Sequence, residues 1–294
     1  MCGIIGLHLR DPDLYPRLGQ LLDTMLAGAV ERGPDAAGIA VYGDRERVPE
    51  GHSAVSVLGA PDDPAAALGQ LLPAVTASRA GATTVITAAV DPEALAAAVR
   101  SVAPEAKVVG IGSELVVYKD IGNPRELAET YDLASAHGWQ GLAHTRMATE
   151  SAITPEGSHP FSVGRDLCLV HNGSFSNHAT IRRALRHEGI EFDSENDTEV
   201  AARFVAACLA DGDDLEKALH RLGQEFDGFY TLLVTTADGF AVVRDEIACK
   251  PAIVAEHPRW VAMASEFRSL AELPGISQAR VFEPDPGKVY AWQR

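Results

Sequence analysis

Met1-Cys2-Gly3-Ile4-Ile5-Gly6-Leu7 opens the chain, and its second residue governs how the rest is read. Met1 is removed readily when a small residue such as Cys follows it. Cys2 then carries a thiol and a free α-amine in a single residue. An unperturbed α-amine has a pKa of roughly 7.7–8.0 and a thiol about 8.5. At neutral pH that amine can take the thiol proton, directly or through water. Nucleophile and base arrive together, a variant of the activated-nucleophile arrangement. The plain alternative is an incidental cysteine that stays behind Met1. The apolar run Gly3–Leu9 reads as a buried strand beginning at the N-terminus.

Working outward, 294 residues suffice for one large domain or one domain with a sizeable insert. The net charge of −16 argues against nucleic acid or an anionic membrane as partner, because phosphate binding needs clustered Lys and Arg. Cys2, Cys168, Cys208 and Cys249 include no CxxC pair and no close His cluster. A structural zinc site is therefore not expected, nor is a disulfide framework, and a reducing cytosol fits best. There is no basic leader and no run of about 18 apolar residues. The expectation is a soluble, cytoplasmic protein with no membrane segment.

Residues 14–29 carry a helical stripe of Leu18, Leu21, Leu22, Met25 and Leu26, stopped by Gly33 and Pro34. A strand is expected over 38–42. Residues from about 52 to 140 differ in texture: Ala-rich helical stretches at 64–80 and 92–103 alternate with β-branched runs at 83–87, 107–111 and 115–119. That alternation suggests a small α/β insert that serves packing alone. From Gly141 onward strands dominate, at 141–145, 167–170, 230–235, 239–244, 252–254, 260–264 and 288–292, with helices at about 178–188 and 197–209. Helices beside runs of consecutive strands indicate layered α+β, not a doubly wound parallel sheet.

Four short segments could join Cys2 in chemistry. Arg32-Gly33-Pro34-Asp35-Ala36-Ala37-Gly38 surrounds a charged pair with turn residues; its bland reading is a tight turn. His144-Thr145-Arg146-Met147-Ala148-Thr149-Glu150 ends a strand with an Arg, the side chain suited to a two-pronged grip on a carboxylate. His171-Asn172-Gly173-Ser174 offers an amide and a glycine N–H, the donors wanted around an oxyanion, although Asn-Gly is more often a plain turn. Ser194-Glu195-Asn196-Asp197-Thr198-Glu199-Val200 is a helix start rich in caps. Either it only caps the helix, or Asp197 also faces a pocket and binds an ammonium group.

Taken together and in this order, the five motifs resemble those of the class II glutamine amidotransferases, N-terminal-nucleophile hydrolases that release ammonia from glutamine. The resemblance frames nearly the whole chain, 2–294. It implies a four-layer αββα sandwich, two antiparallel sheets face to face between helices, with the α/β insert in the first half and Cys2 at the mouth between the sheets. It also implies roles. Cys2 attacks the glutamine amide to form a thioester, with its own α-amine as base. Asn172 and Gly173 hold the oxyanion. Arg146, supported by Thr149, clamps the α-carboxylate, and Asp197 binds the α-ammonium. Arg32 orders the loop beside the nucleophile. No metal or organic cofactor is needed for this step.

Met147 and Glu150 depart from residues common in the family, which puts turnover without a partner in doubt. HTRMATESAITPEGSHPF, CLVHNGSFSNH and the late FDGFYTLLVTTADGFAVVRDEIACKPAIVAE and SEFRSLAELPGI look like the amidotransferase-like subunit related to glutamate synthase that occurs with N-methylglutamate synthase. That resemblance implies glutamate-synthase-like partner subunits receiving the ammonia, since no synthase domain, nucleotide loop or sugar-isomerase domain is recognised before Arg294. Homo- and hetero-oligomers both stay open. Two other readings are a catalytically silent glutamine-binding or scaffold subunit, and an amidohydrolase acting on a γ-glutamyl amide, such as that of methylamine.

Overall fold

The computed structural model describes residues 2–147 and 153–294; Thr149 and Glu150 lie outside them. Sixteen strands form among the described residues. The first seven are β1 (Gly3–Leu9), β2 (Ala36–Tyr42), β3 (Ser53–Leu58), β4 (Thr76–Ala80), β5 (Thr83–Ala88), β6 (Lys107–Gly112) and β7 (Leu115–Ile121). Next come β8 (Gln140–Arg146), β9 (Phe161–Gly164), β10 (Leu167–Phe175), β11 (Gly228–Thr235) and β12 (Gly239–Arg244). The last are β13 (Ile253–His257), β14 (Trp260–Ala264), β15 (Arg280–Phe282) and β16 (Val289–Gln293). The α-helices are α1 (Leu18–Ala27), α2 (Pro64–Leu68), α3 (Pro92–Val102), α4 (Pro124–Thr130), α5 (His178–His187), α6 (Asp197–Ala210) and α7 (Leu215–Glu225).

β1 shows why the sequence folds this way. All seven of its residues are buried, so both faces are covered. Side chains alternate across a strand. Ile5, Leu7 and Leu9 pack with the α1 leucines, while Ile4 packs into a different cluster with Val170, Leu233 and Phe240. β1 lies between β14 and β8 in a seven-stranded sheet of order β15-β13-β14-β1-β8-β2-β7. A second sheet runs β16-β12-β11-β10-β9. The strand pairings within both sheets are antiparallel.

Three apolar layers follow. One lies between α1 and the first sheet, and one between the two sheets, where Tyr42, Val117, Leu142, Cys168, Val242 and Met263 meet. The third lies between the second sheet and α5, α6 and α7, around Leu169, Val200, Val205, Leu219 and Leu232. This is the four-layer αββα sandwich. Trp260 is fully buried and donates its indole N–H to Pro274 O at 2.9 Å, which makes it a packing residue.

The middle of the chain departs from expectation in three ways. Residues 64–80 are not one helix: α2 stops at Leu68 with Gly69 as its cap, and Thr76–Ala80 is a strand. Gly69 and Pro73 interrupt the alanine run, and Thr76 meets Thr87 of β5 through a 2.8 Å hydroxyl contact. Residues 53–112 build a four-stranded sheet, β4-β5-β3-β6, whose pairings are antiparallel rather than the parallel ones of βαβ units. Residues 115–121, read as part of the insert, instead join the main sheet beside β2, because Val117 completes the layer between the sheets. α7 was not expected, although Ala218, Leu219 and Leu222 have helical spacing. Among the described residues no helix is long and apolar enough to cross a membrane.

The two sheets approach closely at Gly6, where a Cβ would overlap Leu233 Cδ2 and press on Phe240. Gly6→Val is therefore expected to destabilise the fold by about 1–3 kcal/mol, the usual cost of overpacking. Urea denaturation reads this as a lower midpoint at unchanged slope, and a variant of wild-type stability contradicts this packing.

Candidate active site

Strand parity carries the chemical groups to one place. The even-numbered positions of β1 face the second sheet, as Ile4 and Gly6 do, and Cys2 continues that row. On β8, Leu142 faces the same way, and His144 and Arg146 follow it. On β10, Cys168 and Val170 point into the layer between sheets and Asn172 follows them. His171, one residue out of phase, sits on the other face and reaches α6 through Thr198. In the ladder, Gly3 lies opposite Thr145 and Ile4 opposite His144, which brings the chain start alongside the end of β8.

The start of the chain is pinned by its backbone. The Cys2 carbonyl accepts from Arg32 Nε at 2.9 Å and from Asn172 Nδ2 at 3.1 Å. Arg32 is buried and also pairs with Glu266 at 2.5 Å, and Glu266 pairs with Arg268 at 2.7 Å. Gly3 N donates to Thr145 Oγ1 at 3.2 Å and Ile4 N to Ser265 Oγ at 2.9 Å. The half-buried thiol sits in a field that favours its anion. Burial pushes Cys2 up, but the hydrogen bond and charge of His144 and the Met147 backbone amide pull it down to about 6.

His144 Nε2 lies 3.3 Å from Asn172 Oδ1. An imidazole N–H donating there turns the Asn172 amide so that its NH2 faces Cys2. Gly173 has φ of +148° and runs so close to β11 that a Cβ would overlap Phe229 O. Only glycine fits, and its backbone lies next to the Asn172 amide.

Arg146 ends β8 with its carbonyl bonded by Asp35 N at 3.1 Å, and its Nη1 donates to Gly157 O at 2.9 Å. Asn196 donates to the same Gly157 carbonyl at 3.3 Å and caps α6 by accepting Thr198 N at 2.8 Å. Asp197 is thus the first residue of α6, where the helix dipole favours an anion. Its Oδ2 accepts from Phe175 N at 2.9 Å. The 156–160 loop is braced by the buried Lys119, whose ammonium donates to Glu156 O, Ser158 O and Pro160 O at 3.2, 2.8 and 3.2 Å.

Cys2, Arg32, Arg146, Asn172, Gly173 and Asp197 all line one cavity of about 300 Å³. Thr149 lies outside the described residues. The cavity also takes in His144, His159, His171, Thr198 and Lys250, none of which was assigned a role from sequence. His144 and His171 stood inside motifs already noted, so adjacency was a usable signal. Lys250 and Glu266 come from distant segments, inside the late stretches noted for their resemblance, but no role was read from either. The cavity thus combines a thiol biased toward thiolate, amide donors, a cation and an anion. That set can attack an acyl carbon on a zwitterionic amino acid.

A family described as a glutamine amidotransferase domain matches residues 144–272. The chain is 46% identical over 298 residues to the glutamine amidotransferase-like protein GlxB of Rhizobium meliloti (strain 1021), covering 99% of this chain and 98% of that protein. It is 36% identical over 127 residues to glutamine–fructose-6-phosphate aminotransferase (isomerizing) of Vibrio vulnificus (strain YJ016), which spans 43% of this chain and 21% of that protein. Among solved structures, glutamine phosphoribosylpyrophosphate amidotransferase from B. subtilis superposes with a TM-score of 0.63 at 18% identity. The match covers 99% of this chain and 47% of that one, so the common ground is the fold and the chain spans about half of that longer polypeptide.

Thiolate is the reactive form of cysteine, so alkylation of Cys2 should accelerate as pH rises and level off once its proton is gone. The midpoint is expected at about 6, followed as the pH profile of iodoacetamide labelling at the N-terminal peptide. His144→Ala should move it upward. A wild-type midpoint at the ordinary thiol value of about 8.5 contradicts the electrostatics described.

Proposed function

Because the chain belongs to the class II glutamine amidotransferases, we propose that it hydrolyses L-glutamine to glutamate and ammonia at Cys2. The observation that carries this reading is the shared cavity, in which Cys2 faces amide donors while Arg146 and Asp197 supply the charges that an amino acid zwitterion requires. After loss of Met1, the Cys2 α-amine takes the thiol proton. The sulfur attacks the side-chain carboxamide carbon. Asn172 Nδ2 and the Gly173 N–H stabilise the tetrahedral oxyanion. The nitrogen leaves as ammonia with the transferred proton, and water then hydrolyses the thioester to glutamate. Arg146, with Thr149, grips the α-carboxylate, Asp197 holds the α-ammonium, and Arg32 keeps the Cys2 carbonyl turned away from the reacting thiol.

We further infer that residues 2–294 act as one amidotransferase domain carrying an insert, in a reducing cytosol that suits a thiol nucleophile. Ammonia released into water is protonated and diluted, so a partner synthase subunit of the glutamate synthase or N-methylglutamate synthase type is inferred to receive it. Support comes from the sequence resemblance and from the cavity rim. Met147, which lines the cavity, is more than one third exposed, an arrangement suited to being covered.

The reading is tested with untagged protein and a diazo-ketone analogue of glutamine. Loss of Met1 and a covalent adduct on Cys2, suppressed by excess glutamine, are expected in the N-terminal peptide mass. An unmodified Cys2, with partner subunits present, overturns it. Cys2→Ala should abolish hydrolysis, and Asn172→Ala should lower kcat by a factor on the order of 10² to 10³, the usual loss for one oxyanion donor. Undiminished steady-state turnover in either variant removes that residue from its role. An N-terminal tag that blocks Met1 removal should inactivate the protein, and full activity with the tag retained excludes the α-amine as base.

A further inference from the structure

Thr198 stands next to Asp197 at the start of α6 and is buried. Its hydroxyl has three polar neighbours: His171 Nδ1 at 2.9 Å, His159 Nε2 at 3.0 Å and Asp197 Oδ1 at 3.4 Å. A hydroxyl has one proton to give and two lone pairs. An ionised carboxylate can only accept. All three contacts are satisfied in one way: both imidazoles donate to Thr198 Oγ1, and Thr198 donates to Asp197.

The remaining ring nitrogens agree with this assignment. His159 Nδ1 and His171 Nε2 are buried without a partner among the described residues. As lone pairs they forgo one hydrogen bond each but bury no charge. A second proton on either ring would place an N–H in the interior with no acceptor. Burial accordingly lowers the pKa of both rings, that of His171 in spite of Asp197 beside it and that of His159 with further depression from His144. His171 Nδ1 lies 3.9 Å from Asp197 Oδ1. A charged His171 would pair with Asp197 and cancel the anion that faces the cavity. The neighbouring Glu199 does not compete, because its carboxylate accepts from Asp193 N, Ser194 N and Ser194 Oγ.

We propose that Thr198, His159 and His171 form a neutral positioning unit that orients the Asp197 carboxylate and preserves its full charge for the α-ammonium of the substrate. The carboxylate is then held on one oxygen by Phe175 N and on the other by the Thr198 hydroxyl. The unit rests on the assignment of Asp197 as the ammonium site, and it makes Thr198 a determinant of specificity without contact to the reacting atoms.

The experiment compares kcat/KM for L-glutamine with that for 4-carbamoylbutanoate, the same amide without the α-amino group. It is run on the wild type, Thr198→Val and Thr198→Ser. Thr198→Val should raise KM for glutamine about tenfold, the worth of one hydrogen bond to a charged group, and leave the deaminated amide nearly unaffected. The preference for glutamine then falls about tenfold, and Thr198→Ser recovers it. A preference unchanged in Thr198→Val, or equally lost in Thr198→Ser, overturns the positioning unit. Should Thr198→Val not fold, His159→Gln against His159→Leu reads the same ratio from the donor side: Gln keeps an N–H and the preference, Leu loses both, and equal ratios overturn the unit. A wild type that hydrolyses neither amide and is not labelled at Cys2 overturns the glutamine reading itself. A wild type that prefers glutamine, with an unaltered ratio in the variants, overturns only the role of Thr198.

Discussion

The Cys2 carbonyl is the point on which the site depends. It accepts from Arg32, which follows the first helix, and from Asn172, which belongs to the second sheet. Two layers of the sandwich therefore hold one peptide group at the very start of the chain, where a terminus would otherwise fray. The guanidinium that does this is itself buried and tied to Glu266. A buried cation left without its partner is costly, so the loop after β14 is committed to the geometry of the Cys2 peptide group.

The Arg146 cation and the Asp197 anion line one cavity together with the imidazoles of His159 and His171. Burial holds His159 and His171 below their ordinary range, and among the described residues each ring has one nitrogen with a partner and one without. Lys119, lowered by burial to about 8, spends its three N–H donors on backbone carbonyls of the 156–160 loop. The result is a polar pocket whose field is set by few charges, with most other donors and acceptors satisfied internally.

Much of this was legible in residues 2–9, 32–38, 144–147, 171–174 and 194–200. The apolar run that becomes a strand buried on both faces, Gly3–Leu9, is visible in the sequence, as is the helical stripe from Leu18 to Leu26. The middle of the chain was less legible. Alanine-rich text favours helix, yet residues 76–80 became an edge strand because the threonines of β5 offered a ladder to pair with. Local propensity is a weak prior, and a neighbouring strand overrides it.

The sequence by itself singled out a candidate nucleophile, candidate oxyanion donors and a candidate pair of charges suited to an amino acid, and it determined the layered α+β class. Each of these is a matter of residue type, order and local period. The tertiary structure alone decided that Arg32 bonds the Cys2 carbonyl rather than Asp35, and that Lys250 lines the cavity. It alone brought His159 and His171 to one hydroxyl on Thr198. These residues meet across strands and helices distant in the chain. Their partnership follows from strand register and from the need to pair buried polar groups, which no local pattern encodes.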